Sequence, residues 1–213
     1  MIRTATPADV PVIHALIRDL AEYEKALDEV RATPEQLREA LFGERPAAFA
    51  HVAESEGGEV VGFALWFLNF STWRGVHGIY LEDLYVRPEA RGSGHGKALL
   101  TELARICVER GYERLEWSVL NWNRPSIEFY ESLGARPQDE WSVYRLTDGA
   151  LAALGARGGN AVVLAGLGRA AARQAGAVAD PGVGAAGSRS GFVSLGKAVR
   201  TDGPSAGTPV EPA

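Results

Sequence analysis

Residues Val86 to Gly96 read V-R-P-E-A-R-G-S-G-H-G, and what surrounds this stretch decides the fold. Before it lies an apolar strand pattern, G-I-Y-L-E-D-L-Y-V, over Gly78 to Val86. After it Ala98, Leu99, Leu100, Leu103, Ile106 and Cys107 recur at helical spacing. A strand therefore leaves a sheet, passes glycines at 92, 94 and 96, and enters a helix. The first N–H groups of a helix have no partner within it and attract an anion, and glycines let a phosphate approach without meeting a Cβ. A glycine-rich helix entry also serves as a plain tight turn, so the rest of the chain must separate the two.

Two familiar phosphate loops fail by counting. A dinucleotide fingerprint G-x-G-x-x-G begun at Gly92 needs glycine where Lys97 stands. A P-loop ending in Gly96-Lys97 needs glycine at Arg91 and a hydroxyl at Ala98. The pattern present is R-x-x-G-x-G, which resembles the acyl-CoA pyrophosphate loop of the GNAT superfamily of N-acetyltransferases.

Working outward, the sequence predicts a short strand at Ile2 to Thr4, then a helix entered through Thr6-Pro7-Ala8-Asp9 and running to about Lys25. Thr33-Pro34-Glu35-Gln36 is a capping box for a second helix. Strands follow at Phe49 to Glu54 and Val60 to Phe70, joined by the turn Glu56-Gly57-Gly58-Glu59. Beyond the loop helix, Glu113 to Val119 reads as a strand. Pro125 opens a short helix closed by Gly134. Ser142 to Leu146 reads as a last strand and Thr147 to Leu154 as a capping helix. The order β-α-α-β-β-β-loop-α-β-α-β is a mixed α/β sheet flanked by helices rather than a repeating βαβ array.

Composition narrows the function classes. The chain has 213 residues, 46% of them hydrophobic, enough for a sizeable core. Residues 1–156 carry 16 Lys and Arg against 24 Asp and Glu, a net of −8, while residues 157–213 carry 6 against 3. An acidic catalytic part argues against nucleic acid and for a small cationic substrate, although an ordinary acidic protein has the same balance. The single cysteine, Cys107, excludes an internal disulfide framework and a cysteine-rich zinc site. His14, His51 and His77 are too scattered to suggest a metal, so none is expected. No apolar run spans a bilayer and no signal core opens the chain, so a cytoplasmic protein is expected. Residues 157–213 hold 25 Gly plus Ala and one aromatic, Phe192. Such composition predicts a disordered tail behind a domain of residues 1–156.

The strand before the loop carries adjacent carboxylates, Glu82 and Asp83, in an otherwise apolar run. Neighbours on a strand point to opposite faces, so at most one is expected to enter a site while the other pairs or meets solvent. Later the chain reads N-W-N-R-P-S-I-E-F-Y-E-S-L-G-A from Asn121. With R-G-S-G-H-G, this segment at its separation resembles the GNAT fold. Leu20-Ala21-Glu22-Tyr23-Glu24, Phe42-Gly43-Glu44-Arg45-Pro46, Val61-Gly62-Phe63-Ala64 and Tyr80-Leu81-Glu82-Asp83 extend the resemblance to the diamine (spermidine/spermine) and thialysine N-acetyltransferase branch over Ile2 to Leu154.

The resemblance implies acetyl-CoA as acetyl donor and a homodimer. It places Leu84, Tyr85 and Val86 along the acetyl-pantetheine arm by their backbone, Arg91, Gly92, Ser93, Gly94, His95, Gly96 and Lys97 at the pyrophosphate, and Asn123 and Ser126 along the cofactor. Tyr23, Glu24 and Glu82 would line the amine pocket, with Asp139 or Glu140 as a further acid, and Tyr130 would be the general acid. The chemistry asks for these types independently. An alkyl ammonium with a pKa of about 10.4 must lose a proton before attacking a thioester, and a carboxylate such as Glu82 can take it. A phenol can protonate the leaving thiolate, and a backbone N–H near Leu84 or Tyr85, at a strand bulge, can meet the oxyanion. The bland alternatives are a core Tyr130 and an Asn123 that bonds its own turn. Rival functions are another acceptor (amino acid, aminoglycoside-like amine or protein α-amine) and a non-catalytic acyl-CoA-binding sensor.

Overall fold

The computed structural model describes residues 1–158. Strands β1 (Ile2–Thr4), β2 (Phe49–Glu54), β3 (Val60–Ser71), β4 (Val76–Val86) and β5 (Leu115–Trp117) form one sheet in the order β1-β2-β3-β4-β5. All neighbours are antiparallel except β4 and β5, which run parallel. Helices α1 (Val10–Tyr23), α2 (Pro34–Phe42), α3 (His95–Glu109) and α4 (Arg124–Ser132) connect them. The mixed sheet flanked by helices is the expected architecture.

Alternation along the strands divides the core in two. On one face Val10, Ile13 and Leu16 of α1 and Leu37 and Leu41 of α2 pack on Ala50, Val52, Phe63 and Tyr85. On the other Leu99, Leu100, Leu103, Ile106 and Cys107 of α3 pack on Ala53, Ala64, Trp66, Ile79 and Leu81. Cys107 is the buried small hydrophobe its spacing suggests. His51 is buried too, its Nδ1 accepting from Trp66 Nε1 at 3.1 Å, and burial lowers its pKa. The predicted capping box is formed: Gln36 N–H donates to Thr33 Oγ1 at 3.2 Å, and Thr33 N–H to Gln36 Oε1 at 3.0 Å. At the amino end Arg3 grips buried Asp9 with two nitrogens at 2.7 and 2.8 Å, holding that carboxyl at about 2.

Gly62 lets β3 approach β4 closely. A Cβ there would lie 2.8 Å from the Tyr85 carbonyl oxygen and 3.0 Å from Val86 Cγ2, and a backbone oxygen cannot swing aside as a side chain does. Gly62→Ala is expected to destabilise the fold by about 1–3 kcal/mol, measured as a lowered urea midpoint. An unchanged midpoint would mean that β4 yields freely at this point.

Three elements differ from expectation. Ser142 to Leu146 forms no strand; Val143 and Tyr144 are 82% and 95% exposed. Alternation makes a segment compatible with a sheet, but a strand exists only where another edge accepts its hydrogen bonds. β5 is also shorter than Glu113 to Val119, because its ladder with β4 ends at the pair Leu81 and Trp117. The capping helix expected at Thr147 to Leu154 spans residues 148–158 and so crosses the domain boundary drawn after residue 156. The rest of the tail lies outside the described residues. Met1–Gln138 form one compact unit and a second begins at Asp139. Among the described residues no helix is long and apolar enough to cross a membrane.

Candidate active site

The ladder between β3 and β4 slips once, so that Trp66 faces Leu81, Leu65 faces Asp83, and Glu82 is left as the extra residue. Such a bulge reverses the alternation of everything beyond it. Ile79 and Leu81 before it belong to the α3 side, and so do Leu84 and Val86 after it, three residues on from Leu81 rather than two. Asp83 and Tyr85 therefore share the α1 side that Glu82 already takes. The rule that adjacent strand residues diverge fails here, and both acids come to one face.

The ends of α1 and α4 meet beside that face, while Tyr130 and Trp117 pack with the α3-side core. Helix α1 ends at Tyr23, with Glu24 as its C-terminal cap and Lys25 in the left-handed region at φ 60°. Tyr23 Oη donates to Asn123 Oδ1 at 3.1 Å, and the same oxygen accepts from Ser126 N–H at 3.4 Å, capping α4. Asn123 is thus both a turn residue bonding its own backbone and the tie between α1 and α4. One turn further along α4, the Tyr130 ring lies 5.0 Å from that of Trp117 at the end of β5.

The electrostatics single out a residue that sequence reasoning set aside. Burial, then the carboxylate of Glu82, then that of Glu24, push the Asp83 carboxyl up to about 6. Burial raises Glu24 as well. The phenol of Tyr130 is raised by burial and by the charge of Glu24, so it keeps its proton at neutral pH. Glu82 itself is exposed. Among the described residues none of Glu24, Glu82 and Asp83 has an ion-pair partner. No pattern in the sequence pointed to Asp83, because the bulge that redirects it is a property of two strands.

The donor side is made of backbone. Among the described residues, nothing pairs with the outer edge of β4 beyond Leu81. Arg87 N–H donates to Val61 O at 2.9 Å, so the alternation of an antiparallel ladder turns the amide groups of Leu84 and Val86 toward that open edge. Gly92 and Gly94 both sit at φ 81°, and a Cβ on either would meet nothing within 4 Å. Gly94 precedes α3 without a side-chain cap, leaving the first-turn N–H groups of His95, Gly96 and Lys97 facing the loop. An extended amide-bearing arm along β4 and a pyrophosphate at α3 fit these groups, so the site suits acyl-CoA. Ser93 and Lys97 are exposed beside it. The Arg91 side chain folds back on β4, its Nε donating to Val86 O at 2.9 Å, which leaves the Val86 N–H as the free group there. Asp139 and Glu140, the other predicted substrate acids, are exposed at the start of the second unit.

Comparison with known proteins accords with this geometry. Residues 13–135 match the Acetyltransferase (GNAT) family. Thialysine N-epsilon-acetyltransferase of Bos taurus is 42% identical over 155 residues, covering 68% of this chain and 91% of that protein. An L-ornithine N5-acetyltransferase of Arabidopsis thaliana is 32% identical, covering 72% and 86%. Among solved structures, an integron cassette protein from V. cholerae superposes with a TM-score of 0.62 at 26% identity, covering 73% of this chain and 96% of that one.

Proposed function

The chain belongs to the GNAT acetyltransferase family, and from that premise we propose that it transfers acetyl from acetyl-CoA to a primary amine of a small cationic metabolite of the diamine, polyamine or thialysine kind. The observation that carries the acceptor is the cluster of Glu24, Glu82 and Asp83, which gathers negative charge beside the open edge of β4 without a basic partner among the described residues. An ammonium group supplies the missing charge.

Acetyl-CoA, when bound, supplies a thioester whose acyl carbon an amine can attack. The backbone of Leu84 and Val86 would hold its arm, and the N–H groups from Gly92 to Lys97 its pyrophosphate. Exposed Glu82 anchors the cation at the mouth. Asp83, poised at about 6, takes the proton that the ammonium must lose. Tyr130 keeps a proton on Oη and gives it to the departing sulfur. The N–H of Leu84, on the open edge just beyond the bulge, is the donor for the oxyanion.

The test is thiol release from acetyl-CoA across diamines, polyamines, thialysine, ornithine, amino acids and aminoglycosides, with products identified by mass. Release with diamines, polyamines, thialysine or ornithine, and not with the other amino acids or the aminoglycosides, is expected. Release confined to the latter would overturn the acceptor, and CoA binding without release from any amine would favour a sensor. Sedimentation of the full chain reads the homodimer that the resemblance implies.

A further inference from the structure

Arg91 opens the glycine loop, where a cation suits a phosphate, yet its side chain is committed elsewhere. Its guanidinium carbon lies 5.3 Å from the centroid of the Tyr23 ring and 5.5 Å from that of Tyr85, while Nε is bonded to the Val86 carbonyl. Four residues earlier Arg87 Nε stands 3.8 Å from Asp19 Oδ2. Asp19 and Tyr23 are one turn apart on α1 and so share a face. The loop thus grips the end of α1 by two rungs. Tyr23 is also bonded to Asn123, lies 5.9 Å from the Trp122 ring, and directly precedes Glu24.

We propose that Arg91 is a positioning residue for the acceptor side: it holds Tyr23, and through it Glu24, against Asp83 and Tyr130, while the backbone of the loop serves the donor. This rests on the acceptor reading given above. A guanidinium can lie over aromatic rings while its Nε donates to a carbonyl, whereas a lysine has a single nitrogen for both. Lysine is nonetheless a good phosphate ligand, so Arg91→Lys separates the two roles.

The experiment compares Arg91→Ala, Arg91→Lys, Tyr23→Ala and the Arg91→Ala/Tyr23→Ala double variant by steady-state kinetics with the best amine, and by calorimetric CoA affinity, which needs no turnover. Arg91→Ala should raise the amine KM about tenfold, the size of two cation–π contacts. Arg91→Lys should not restore it, CoA affinity should stay within about twofold, and the double variant should be no worse than the worse single one, since coupled residues are not additive. A tenfold loss of CoA affinity in Arg91→Ala that Arg91→Lys restores, or additive effects on the amine KM, would overturn the proposal. Should the wild type acetylate no amine, the acceptor reading falls and this proposal with it; a CoA affinity weakened in Arg91→Ala and restored by lysine overturns the proposal on the donor side alone, whatever the amine result.

Discussion

Asp83→Asn is expected to remove most of the turnover and, at neutral pH, to stabilise the protein. Loss of a general base costs about 10²–10⁴ in rate, and asparagine keeps the shape of the side chain without a basic oxygen. The effect on stability follows from the direction of the pKa shift. The carboxyl titrates at about 6 in the fold, above its ordinary value, so its protonated form is the one the fold prefers. Its contribution is complete below about pH 4 and is lost as pH rises through about 6, where the buried charge begins to oppose folding. Replacement by asparagine should therefore add about 2 kcal/mol at pH 7.5, after allowance for residual hydration, and little near pH 4, read from urea midpoints at the two pH values. In the wild type kcat/KM should fall below about pH 6. Glu82→Gln should move that limb to lower pH more than Glu24→Gln does, because Glu82 is the stronger of the two charges acting on Asp83. A limb that survives near pH 6 in Asp83→Asn but vanishes in Glu82→Gln would transfer the role of base to Glu82.

Tyr130→Phe should lower kcat by about 10²–10³, the span of general acid catalysis, with calorimetric affinity for CoA within about twofold. Phenylalanine keeps the ring against Trp117 and Phe129, so the core on that side is undisturbed and only the proton is lost. The deficit should be largest with the poorest leaving group and shrink with an acyl donor whose thiol is more acidic. An unaffected rate would return Tyr130 to the core.

The sequence made much of this molecule legible. Helical spacing in α1 and α3, the capping box at Thr33 and Gln36, and the glycines ahead of α3 are local patterns, and local hydrogen bonding and side-chain alternation suffice to specify them. The resemblance put Tyr23 and Glu24 at the amine pocket, Asn123 along the cofactor and Tyr130 as the acid; the structure ties Tyr23 to Asn123, and the charge of Glu24 reaches Tyr130. Ser142 to Leu146 shows the limit, since its alternation is real but it pairs with no strand among the described residues.

What the sequence determined by itself is the local frame of the loop: a strand, glycines ahead of a helix with free first-turn amides, and no dinucleotide or P-loop register. Only the tertiary structure decided that Glu82 and Asp83 share one face and where Arg91 turns. A one-residue slip between β3 and β4 brings Asp83 beside Glu82, and the approach of α1 draws Arg91 over Tyr23. Both depend on how separate segments register against one another, and a register between strands or between loop and helix is a balance of packing and hydrogen bonds that no single segment encodes.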